Sequence, residues 1–380
     1  MNNVYLKKCA TYEQETVDGA VEFIFQSSSI CASITAKTRI VLKLNLLIKS
    51  SPDEAVTTHP AVVAAVIKAL KKRGAEQIVL ADSSSGFFSA AKLKGIYEKC
   101  GIANLVQSGV TLNYDVSSAP RSGDGLNKQF EIINAVTNAD VVIGIGKVKT
   151  HAMTGMSGAI KNYFGVIPGL AKAEMHSRIP EKPQFCEMLC ELYDLVKPSF
   201  SIMDGVVGME GNGPSGGTPR LFGFIIGGEN AYMVDRVLCD IMGIGAQKAL
   251  TVAASIKRGS APANIAEIAV VGDRDIVDMP ITDLLLPESA DNDFTSSLPE
   301  FLKPIGKKLI RSVSPRPVIR TKDCVGCAMC FEICPQHTIK IENKIAHIEQ
   351  KNCIKCFCCH EVCPQRAIDI KTNILFRVFK

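Results

Sequence analysis

The sequence contains no tryptophan, and aromatic residues make up only 6% of its 380 residues. It also has no apolar run long enough to span a bilayer. The N-terminal segment MNNVYLKKCATYEQE lacks the apolar core of a signal peptide. We therefore expect no membrane-spanning segment and a cytoplasmic location.

The sequence has little excess charge of either sign. It carries 43 Lys and Arg against 38 Asp and Glu, a net charge of +5. Binding to nucleic acid would need a concentrated basic face, which this mild excess does not indicate. The charge balance predicts no nucleic-acid partner and gives weak support for a small anionic ligand.

Cysteine is used unevenly. Nine of the 15 cysteines fall between Cys324 and Cys363. A disulfide framework is typical of a small secreted domain, whereas this is a large chain without a signal peptide. Cysteines clustered in a reducing compartment point instead to a metal centre.

The first 278 residues alternate strand-like and helix-like segments. Strands are predicted at 39–48, 77–81, 140–145, 200–203, 221–226 and 265–271. Helices are predicted at 60–72, 130–137, 185–196 and 231–243, with Thr57 or Thr58 capping the first and a glycine-rich loop over 204–217. This alternation predicts an α/β domain, layered around a largely parallel sheet.

The pattern changes after residue 278. Residues 279–319 are rich in proline, serine and mixed charge, so we expect a linker with a short helix near 302–310. Residues 320–380 are predicted to form a small α+β ferredoxin-like domain that holds two clusters. Its two halves, 324–341 and 353–370, form a weak internal repeat.

Each half carries the spacing C-x2-C-x2-C-x3-C-P, in which three cysteines wrap one [4Fe–4S] cluster and the fourth ligates the other. The first cluster is then assigned to Cys324, Cys327, Cys330 and Cys363. The second cluster is assigned to Cys353, Cys356, Cys359 and Cys334. Two residues between thiolates let one tight loop present three sulfurs, and its backbone N–H groups offset the negative charge of the cluster.

Zinc is the alternative for such a cluster of cysteines, but zinc sites usually show two separated C-x2-C pairs rather than a triplet followed by C-P. The extra Cys358 lies inside the second loop, and we interpret it as a packed residue rather than a ligand. Clusters of this kind transfer single electrons. Joined to a large α/β domain, they are expected to feed or drain electrons there.

The densest polar stretch of the α/β domain follows the strand at 140–145. Lys147, Lys149, Thr150 and His151 leave the carboxyl end of this strand, where open α/β sheets bind ligands. A turn of small residues at 154–158 then enters a helix that carries Lys161 and Asn162. Free N–H groups at a helix start favour an anion. The alternative is a solvated turn with scattered lysines.

Other polar positions are expected to face the same rim. Lys43 and Asn45 lie in the first predicted strand, and the loops 82–86 and 212–217 are rich in small polar residues. His59 is interpreted as a capping or packing residue. No Walker loop or complete dinucleotide fingerprint is present, so neither ATP nor NAD is predicted. Cys186 and Cys190, spaced i, i+4, are expected to pack in the core.

Taken together, these motifs resemble the iron–sulfur proteins of the domain-of-unknown-function 362 family, over roughly residues 35–275. The resemblance is carried by KLN at 43–45, THP at 58–60, KVKTH at 147–151, KN at 161–162, Gly165, and the segment from Asp204 to Pro214. Leu44 stands where the family usually has proline. A ferredoxin tail is a common fusion in that family, so the resemblance implies the same two-part chain.

A second, weaker resemblance is to nickel-dependent lactate racemases, over 151–176. There the residue matching His151 is an acid/base catalyst, the one matching Lys161 carries a pyridine-derived nickel pincer, and the one matching His176 ligates nickel. This chain has Ala159 and Ile160 where those enzymes have glycine and a basic residue. The resemblance implies a shared location for the active site.

The leading functional hypothesis is an oxidoreductase whose clusters exchange electrons with a small anionic organic molecule. Three lysines, Lys147, Lys149 and Lys161, would hold the anion, with Lys43, Asn45, Thr150, Asn162 and His176 as further binding residues. His151 would move the accompanying proton. One alternative is an electron carrier that docks a redox partner protein, and another is racemase-like chemistry on a hydroxy or amino acid. Exposed clusters suit an oxygen-poor setting.

Overall fold

The computed structural model describes residues 3–289 and 314–371. The strands of the first range are β1 (Asn3–Lys8), β2 (Arg39–Lys43), β3 (Gln77–Ala81), β4 (Thr111–Leu112), β5 (Ser118–Ser122), β6 (Gln129–Ile133), β7 (Val141–His151), β8 (Gly155–Ser157), β9 (Phe200–Glu210), β10 (Thr218–Gly228) and β11 (Ala269–Gly272). Its helices are α1 (Gln14–Ser27), α2 (Pro60–Lys71), α3 (Ala90–Lys99), α4 (Asn134–Thr137), α5 (Ala159–Asn162), α6 (Ala171–Arg178), α7 (Lys182–Val196), α8 (Ala231–Ile241), α9 (Leu250–Lys257) and α10 (Asp275–Asp278). Short 3-10 helices lie at Ile30–Ser33, Pro52–Glu54, Ile102–Ser108, Tyr163–Val166 and Ile265–Glu267.

A nine-stranded sheet dominates the described part of the chain. Its strand order is β11-β1-β10-β9-β7-β2-β3-β4, and β8 pairs with β7. The five strands from β9 to β4 run parallel, whereas β10 runs antiparallel to both β9 and β1. The largely parallel α/β sheet predicted from the sequence is therefore confirmed.

Helices cover both faces of the sheet because its central strands are apolar on both sides. In β2, Ile40 and Leu42 pack into one core with α1 and α2, and Val41 packs into the opposite core with α7 and α8. This alternation follows from the two-residue period of a strand. The predicted core positions Cys186 and Cys190 are buried on α7.

Several predicted segments differ from the observed ones. The helix predicted at 130–137 is wrong in its first half, because Gln129–Ile133 forms β6 and pairs with β5. A short apolar run fits the period of a helix as well as that of a strand. Here the hydrogen-bonded pairing with β5 makes the segment a strand. The predicted loop after residue 203 is strand as far as Glu210, because β9 forms a long antiparallel pair with β10. Strand β2 ends at Lys43 rather than at residue 48.

The start of α2 differs from the predicted threonine cap. His59, interpreted from the sequence as a capping or packing residue, occupies the capping position, and its Nδ1 accepts the N–H of Ala61 at 3.2 Å. Thr58 instead donates its hydroxyl to the Ile145 carbonyl at 2.7 Å, which ties the loop after β2 to strand β7. The helix predicted near 302–310 lies outside the described residues.

The second described range forms a small α+β module. Its elements are β12 (Arg316–Ile319), α11 (Met329–Ile333), β13 (Ile339–Glu342), β14 (Ile345–Ile348), α12 (Cys358–Val362) and β15 (Ile368–Lys371). β12 pairs with β15, and β13 pairs with β14, both antiparallel. The two halves of the internal repeat each contribute one short helix and one following strand.

The small module packs against the α/β domain. The loop 212–217, predicted to face a ligand, contacts it instead: the Ser215 hydroxyl donates to the Glu361 carbonyl at 2.9 Å, and His360 Nε2 lies 2.9 Å from the Asn212 carbonyl oxygen. A Cβ on Gly216 would lie 2.5 Å from the His360 ring, so a side chain there would push the two parts apart. No helix in the described ranges is long and apolar enough to cross a bilayer.

Candidate functional site

The site lies where the strand order of the sheet reverses. From β2 the chain continues to β3 and β4 on one side, and later to β7 and β9 on the other. Crevices at the carboxyl ends of such strands are the usual ligand sites of open α/β sheets. Lys43 ends β2 and pairs in register with Gly144 of β7, so the polar ends of both strands open into this crevice.

Lys43 lies fully buried against Asp82, with 2.8 Å between its Nζ and Asp82 Oδ1. Its ammonium also lies 3.3 Å from Asn162 Oδ1. Burial lowers the pKa of Lys43, and the Asp82 carboxylate opposes this effect. Glycine is required at 165, because a Cβ there would lie 2.3 Å from Asp82 Oδ1 and 2.5 Å from Lys43 Nζ.

Lys149 is joined to the same group of side chains. Its Nζ donates to Asn45 Oδ1 at 2.9 Å and to the Val56 carbonyl at 2.8 Å. Asn45 in turn donates to Asn162 Oδ1 at 3.3 Å. Burial, reinforced by the charge of nearby lysines, lowers the pKa of Lys149 to about 7. Asn162 and Asn45 therefore link two buried lysines through neutral amides.

This low pKa predicts a pH dependence of stability. The pKa of Lys149 is about 7 in the folded chain, well below the ordinary lysine value. The unfolded state therefore binds more protons above about pH 7, and the contribution of Lys149 to stability rises with pH. We expect the free energy of unfolding of the wild type, relative to Lys149→Met, to grow by about 2 kcal/mol between about pH 7 and about pH 9. Urea unfolding at both pH values measures this, and a constant or shrinking difference would contradict it.

Lys147 belongs to a separate group of buried side chains. Its Nζ lies 2.7 Å from Asp204 Oδ2 and 2.7 Å from the Tyr12 hydroxyl oxygen, and the Lys147 and Asp204 side chains have no exposed surface. The Tyr12 hydroxyl donates to Asp204 Oδ1 at 2.9 Å, and its ring stacks on His59 at 3.5 Å. The polar groups of Lys147 are thus used within the protein rather than at the pocket described below.

Thr150 and His151 end strand β7. The Thr150 hydroxyl donates to the Gly211 carbonyl at 2.8 Å. His151 Nδ1 accepts the N–H of Met153 at 3.0 Å, and burial followed by the charge of Lys161 lowers the His151 pKa to about 3. A neutral imidazole whose Nδ1 accepts carries its proton on Nε2. His151 is therefore a neutral ring with an Nε2–H group.

That Nε2 faces a carboxylate from the small module. It lies 3.2 Å from Glu361 Oε1, but the alignment falls short of a hydrogen bond, and Nε2 has no other partner in the described residues. Burial alone would raise the pKa of Glu361, but contact with His151 and the charge of Lys161 lower it to about 2. A charged carboxylate thus lies beside the proton of a neutral histidine.

A cavity of about 60 Å³ lies between the sheet and the small module. Its ionisable lining consists of Lys43, Asp82, Lys161, Lys172, His176, Cys358 and Glu361. Asn45 and Asn162 also line it, whereas Lys147, Lys149, Thr150 and His151 do not. We call this cavity the interdomain pocket.

Two groups in the interdomain pocket have unused capacity in the described residues. Lys161 has no hydrogen-bond or carboxylate partner there, and its Nζ lies 5.8 Å from the centre of the Phe164 ring. His176 is buried and stacks on Phe185 at 4.3 Å, and its Nδ1 has no partner there. Burial lowers the pKa of His176 to about 4, so the ring is neutral. A ligand could therefore pair with the cation and hydrogen-bond to the imidazole.

The helix start predicted to favour an anion is already occupied. The N–H groups of Ala159 and Ile160 donate to the Asp235 carboxylate at 2.5 and 3.1 Å. A Cβ on Gly158 would lie 2.3 Å from this carboxylate. The side chain of Asp235, rather than a ligand, accepts from the N–H groups at this helix start.

The cysteines of the small module line two further cavities, of about 20 Å³ each. The cysteines of the first are Cys324, Cys327, Cys330 and Cys363. Those of the second are Cys334, Cys353, Cys356, Cys358 and Cys359. Each cavity thus combines cysteines from both halves of the repeat.

Backbone N–H groups surround these sulfurs. Ala367 N lies 3.2 Å from Cys363 Sγ, and Ala346 N lies 3.4 Å from Cys324 Sγ. Such N–H groups offset the negative charge of a cluster on its thiolates. Among the described His, Cys, Asp and Glu side chains, only cysteines line these two cavities, and thiolates are the usual ligands of iron–sulfur clusters.

Sequence reasoning missed two residues of the interdomain pocket. Lys172 lies in it with its Nζ 2.5 Å from the Ser83 carbonyl oxygen, and burial lowers its pKa to about 7. Glu361 reaches it from α12, between two cluster cysteines in sequence. No motif marked either one. A signal for Glu361 exists only once the two parts of the chain are known to pack together.

Comparison with known proteins agrees with this architecture. A family model described as Domain of unknown function (DUF362) matches residues 40–240, and one described as a 4Fe-4S dicluster domain matches residues 316–364. The Thylakoid-associated protein sll1697 of Synechocystis sp. is 32% identical over 227 residues, which cover 59% of this chain and 69% of that protein.

Two solved structures are distantly similar. The lactate racemase apoprotein from Thermoanaerobacterium thermosaccharolyticum matches with a TM-score of 0.42 and 15% identity, over 64% of this chain and 58% of that one. A Thermotoga maritima protein matches with a TM-score of 0.37 and 14% identity, over 64% and 59%. The match thus spans less than two thirds of either solved protein. On the family models and the Synechocystis relative, the chain belongs to the DUF362 family and carries a C-terminal 4Fe-4S dicluster domain.

Proposed function

We propose that this protein is an iron–sulfur oxidoreductase. Two [4Fe–4S] clusters, bound within residues 320–380, exchange electrons with a small organic anion bound by residues 1–278. The linker predicted at 279–319 joins the two parts, but its last four residues form β12 of the small module. The observation that carries the proposal is the composition of the interdomain pocket. Lysines of the α/β domain and Cys358 and Glu361 of the cluster module line the same cavity.

The clusters supply one-electron transfer, and the ligand sets are the two groups of four cysteines assigned from the sequence. Each set occurs together in one of the two cysteine-lined cavities. The second of these cavities shares Cys358 with the interdomain pocket. An electron donor and an organic acceptor are thereby held on opposite sides of one side chain.

The residues of the pocket suit a substrate that bears a negative charge. Three lysines, Lys43, Lys161 and Lys172, face two carboxylates, Asp82 and Glu361. Lys43 is already paired with Asp82, so Lys161 is the cation that binds the anion. The anion then contacts the wall of the pocket formed by Lys43, Asn45 and Asn162. His176 contributes its unpartnered Nδ1 as a hydrogen-bond acceptor, which orients a hydroxyl or amino group.

Protons must accompany the electrons, since a two-electron reduction of an organic molecule consumes two protons and the reverse reaction releases them. The Nε2–H group of His151 lies 3.2 Å from Glu361 Oε1, and Glu361 lines the pocket. His151 is the proposed proton donor and acceptor, and Glu361 stabilises the ring when it is charged. Lys147, Lys149 and Thr150 position strand β7 rather than touch the substrate.

The experiment is anaerobic reoxidation. The protein is reconstituted with iron and sulfide, reduced chemically, and mixed with fractionated cell metabolites while the absorbance of the clusters is followed. We expect at least one fraction to reoxidise the wild type and Lys161→Ala to slow this at least about 100-fold, since a lost charge-assisted contact of about 3 kcal/mol corresponds to that factor. Iron content should not change.

The matched control is Lys257→Ala. The side chain of Lys257 on α9 is 76% exposed and forms an ion pair with Glu187 on α7. Lys257 does not line the pocket. It should behave as the wild type. Equal reoxidation of the wild type and Lys161→Ala would refute the assigned site. Reoxidation by no fraction would favour the alternative of an electron carrier that docks a redox partner protein.

Racemase-like chemistry on a hydroxy or amino acid is the other alternative. Bound nickel, or a modified Lys161 in the intact mass, would support it. The oxygen-poor cytoplasm expected from the sequence stays a prediction.

A further inference from the structure

The two halves of the cluster module are related by their sequence repeat but meet different surroundings. Cys358 in the second half corresponds to Met329 in the first, and His360 corresponds to Phe331. Cys358 and His360 are buried against the α/β domain, at 5% and 4% exposure, whereas Phe331 is 45% exposed. Two loops that are equivalent in sequence therefore differ in exposure, because only the second packs against the α/β domain.

The loop of the second half forms a wall of the interdomain pocket. Cys358 packs with Ala173 of the α/β domain, and with Ile333 and Val362 of the module. It lines both the pocket and the cavity of Cys334, Cys353, Cys356 and Cys359. The other cysteine-lined cavity shares no residue with the pocket.

The loop of the first half faces outward. Cys327 is exposed, and its neighbour Val325 is 58% exposed. The equivalent residues in the second half, Cys356 and Ile354, are only partly exposed. A donor or acceptor protein could therefore approach the first loop closely but not the second. Electron transfer slows steeply with the thickness of intervening protein, so this difference in exposure sets the order of the two clusters along the path.

We infer that the two clusters have a fixed order along the electron path. The inner cluster, on Cys334, Cys353, Cys356 and Cys359, exchanges electrons with the pocket across Cys358. The outer cluster, on Cys324, Cys327, Cys330 and Cys363, exchanges them with an external one-electron carrier protein. This inference rests on the proposed function, which makes the pocket the end of the path.

The electrons balance in single steps. A reduced carrier is oxidised by one electron as the outer cluster gains it, and the inner cluster gains it as the outer cluster loses it. Two such passages deliver the two electrons that one organic molecule takes up with two protons. The same steps run backward if the substrate is the donor.

The order can be tested without a substrate, because a charge alters the reduction potential of the nearest cluster most. Lys161→Met removes a positive charge from the pocket at nearly constant length. We expect it to make the inner cluster harder to reduce. Val325→Glu adds a negative charge at the exposed first loop, and we expect it to make the outer cluster harder to reduce. Lys161→Arg keeps the charge and should change neither.

The measurement is a redox titration of the reconstituted full chain, followed by the spin-resonance signal of each cluster. The order is supported if Lys161→Met and Val325→Glu shift the midpoints of different clusters. It is overturned if both variants shift the same cluster, or if Lys161→Met shifts both equally or neither. Because no substrate is added, failure of this inference is distinguishable from failure of the metabolite experiment.

Discussion

Cys363→Ala is expected to abolish the cluster shared with Cys324, Cys327 and Cys330, although Cys363 lies 33 positions after the last of these. Cys363 lines the cavity of those three cysteines, and not the cavity of the cysteines that precede it in its own run. A cube that loses one of four thiolates is poorly held. We expect the variant to retain about half of the iron, all of it in the other cluster.

The reciprocal variant is Cys334→Ala, which should lose the other cluster. Cys334 lines the second cavity with Cys353, Cys356 and Cys359. Iron and sulfide analysis gives the amount lost, and the spin-resonance signal of the reduced protein identifies the remaining cluster. Cys330→Ala should leave the same signal as Cys363→Ala, because both cysteines line the first cavity. The same signal in Cys330→Ala and Cys334→Ala would show that the ligands are not exchanged between the two halves.

The matched control for this pair is Cys358→Ala. Cys358 is the extra thiol of the second loop and lies between the pocket and the second cavity. We interpret it as a wall residue rather than a ligand, so its removal should leave the iron content unchanged. Loss of a cluster in this variant would make Cys358 a ligand and would require a new assignment.

Lys147→Met is expected to destabilise the α/β domain by about 3–5 kcal/mol, the ordinary cost of leaving one member of a buried ion pair without its partner. Asp204 has no exposed side-chain surface, and its Oδ2 lies 2.7 Å from the Lys147 ammonium. Its remaining hydrogen bonds come from the hydroxyl of Tyr12 and from the backbone N–H groups of His59 and Val206. Urea unfolding under anaerobic conditions measures the loss.

Two controls accompany this variant. Lys8→Met removes an exposed lysine paired with Asp275 and should have no measurable effect, because water screens that pair. The double variant Lys147→Met, Asp204→Leu should recover part of the loss, because no buried charge is left unpaired. If Lys147→Met were as stable as Lys8→Met, the ion pair of Lys147 and Asp204 could not be buried as described.

The proposed grouping of the cysteines into two ligand sets and the position of the ligand crevice could both be predicted from local patterns. The spacing of Cys324, Cys327 and Cys330 implies one tight loop, and the alternation of apolar segments implies a parallel sheet with polar strand ends on one rim. Lys43 and Lys161 were assigned to that rim, and both line the interdomain pocket. Their roles in binding stay predictions until variants are measured.

The partners of the individual lysines could not be predicted in this way. Lys147 and Lys149 are two residues apart and look equivalent in sequence. One pairs with Asp204, 57 positions later, and the other with Asn45, 104 positions earlier. Both ammonium groups are buried in contacts with other protein groups, and neither lysine lines the interdomain pocket. Similarly, the free helix N–H groups at Ala159 and Ile160 are satisfied by Asp235.

The sequence by itself determined the class of fold, the ligand sets proposed for the clusters and the rim on which a ligand would bind, because each depends on spacing within a short segment. Only the tertiary structure decided that Glu361 and Cys358 enter the pocket and that the two cluster loops differ in exposure. Both outcomes follow from docking between surfaces far apart in the chain. Complementarity of that kind lies in the packing of distant residues, which no local pattern records.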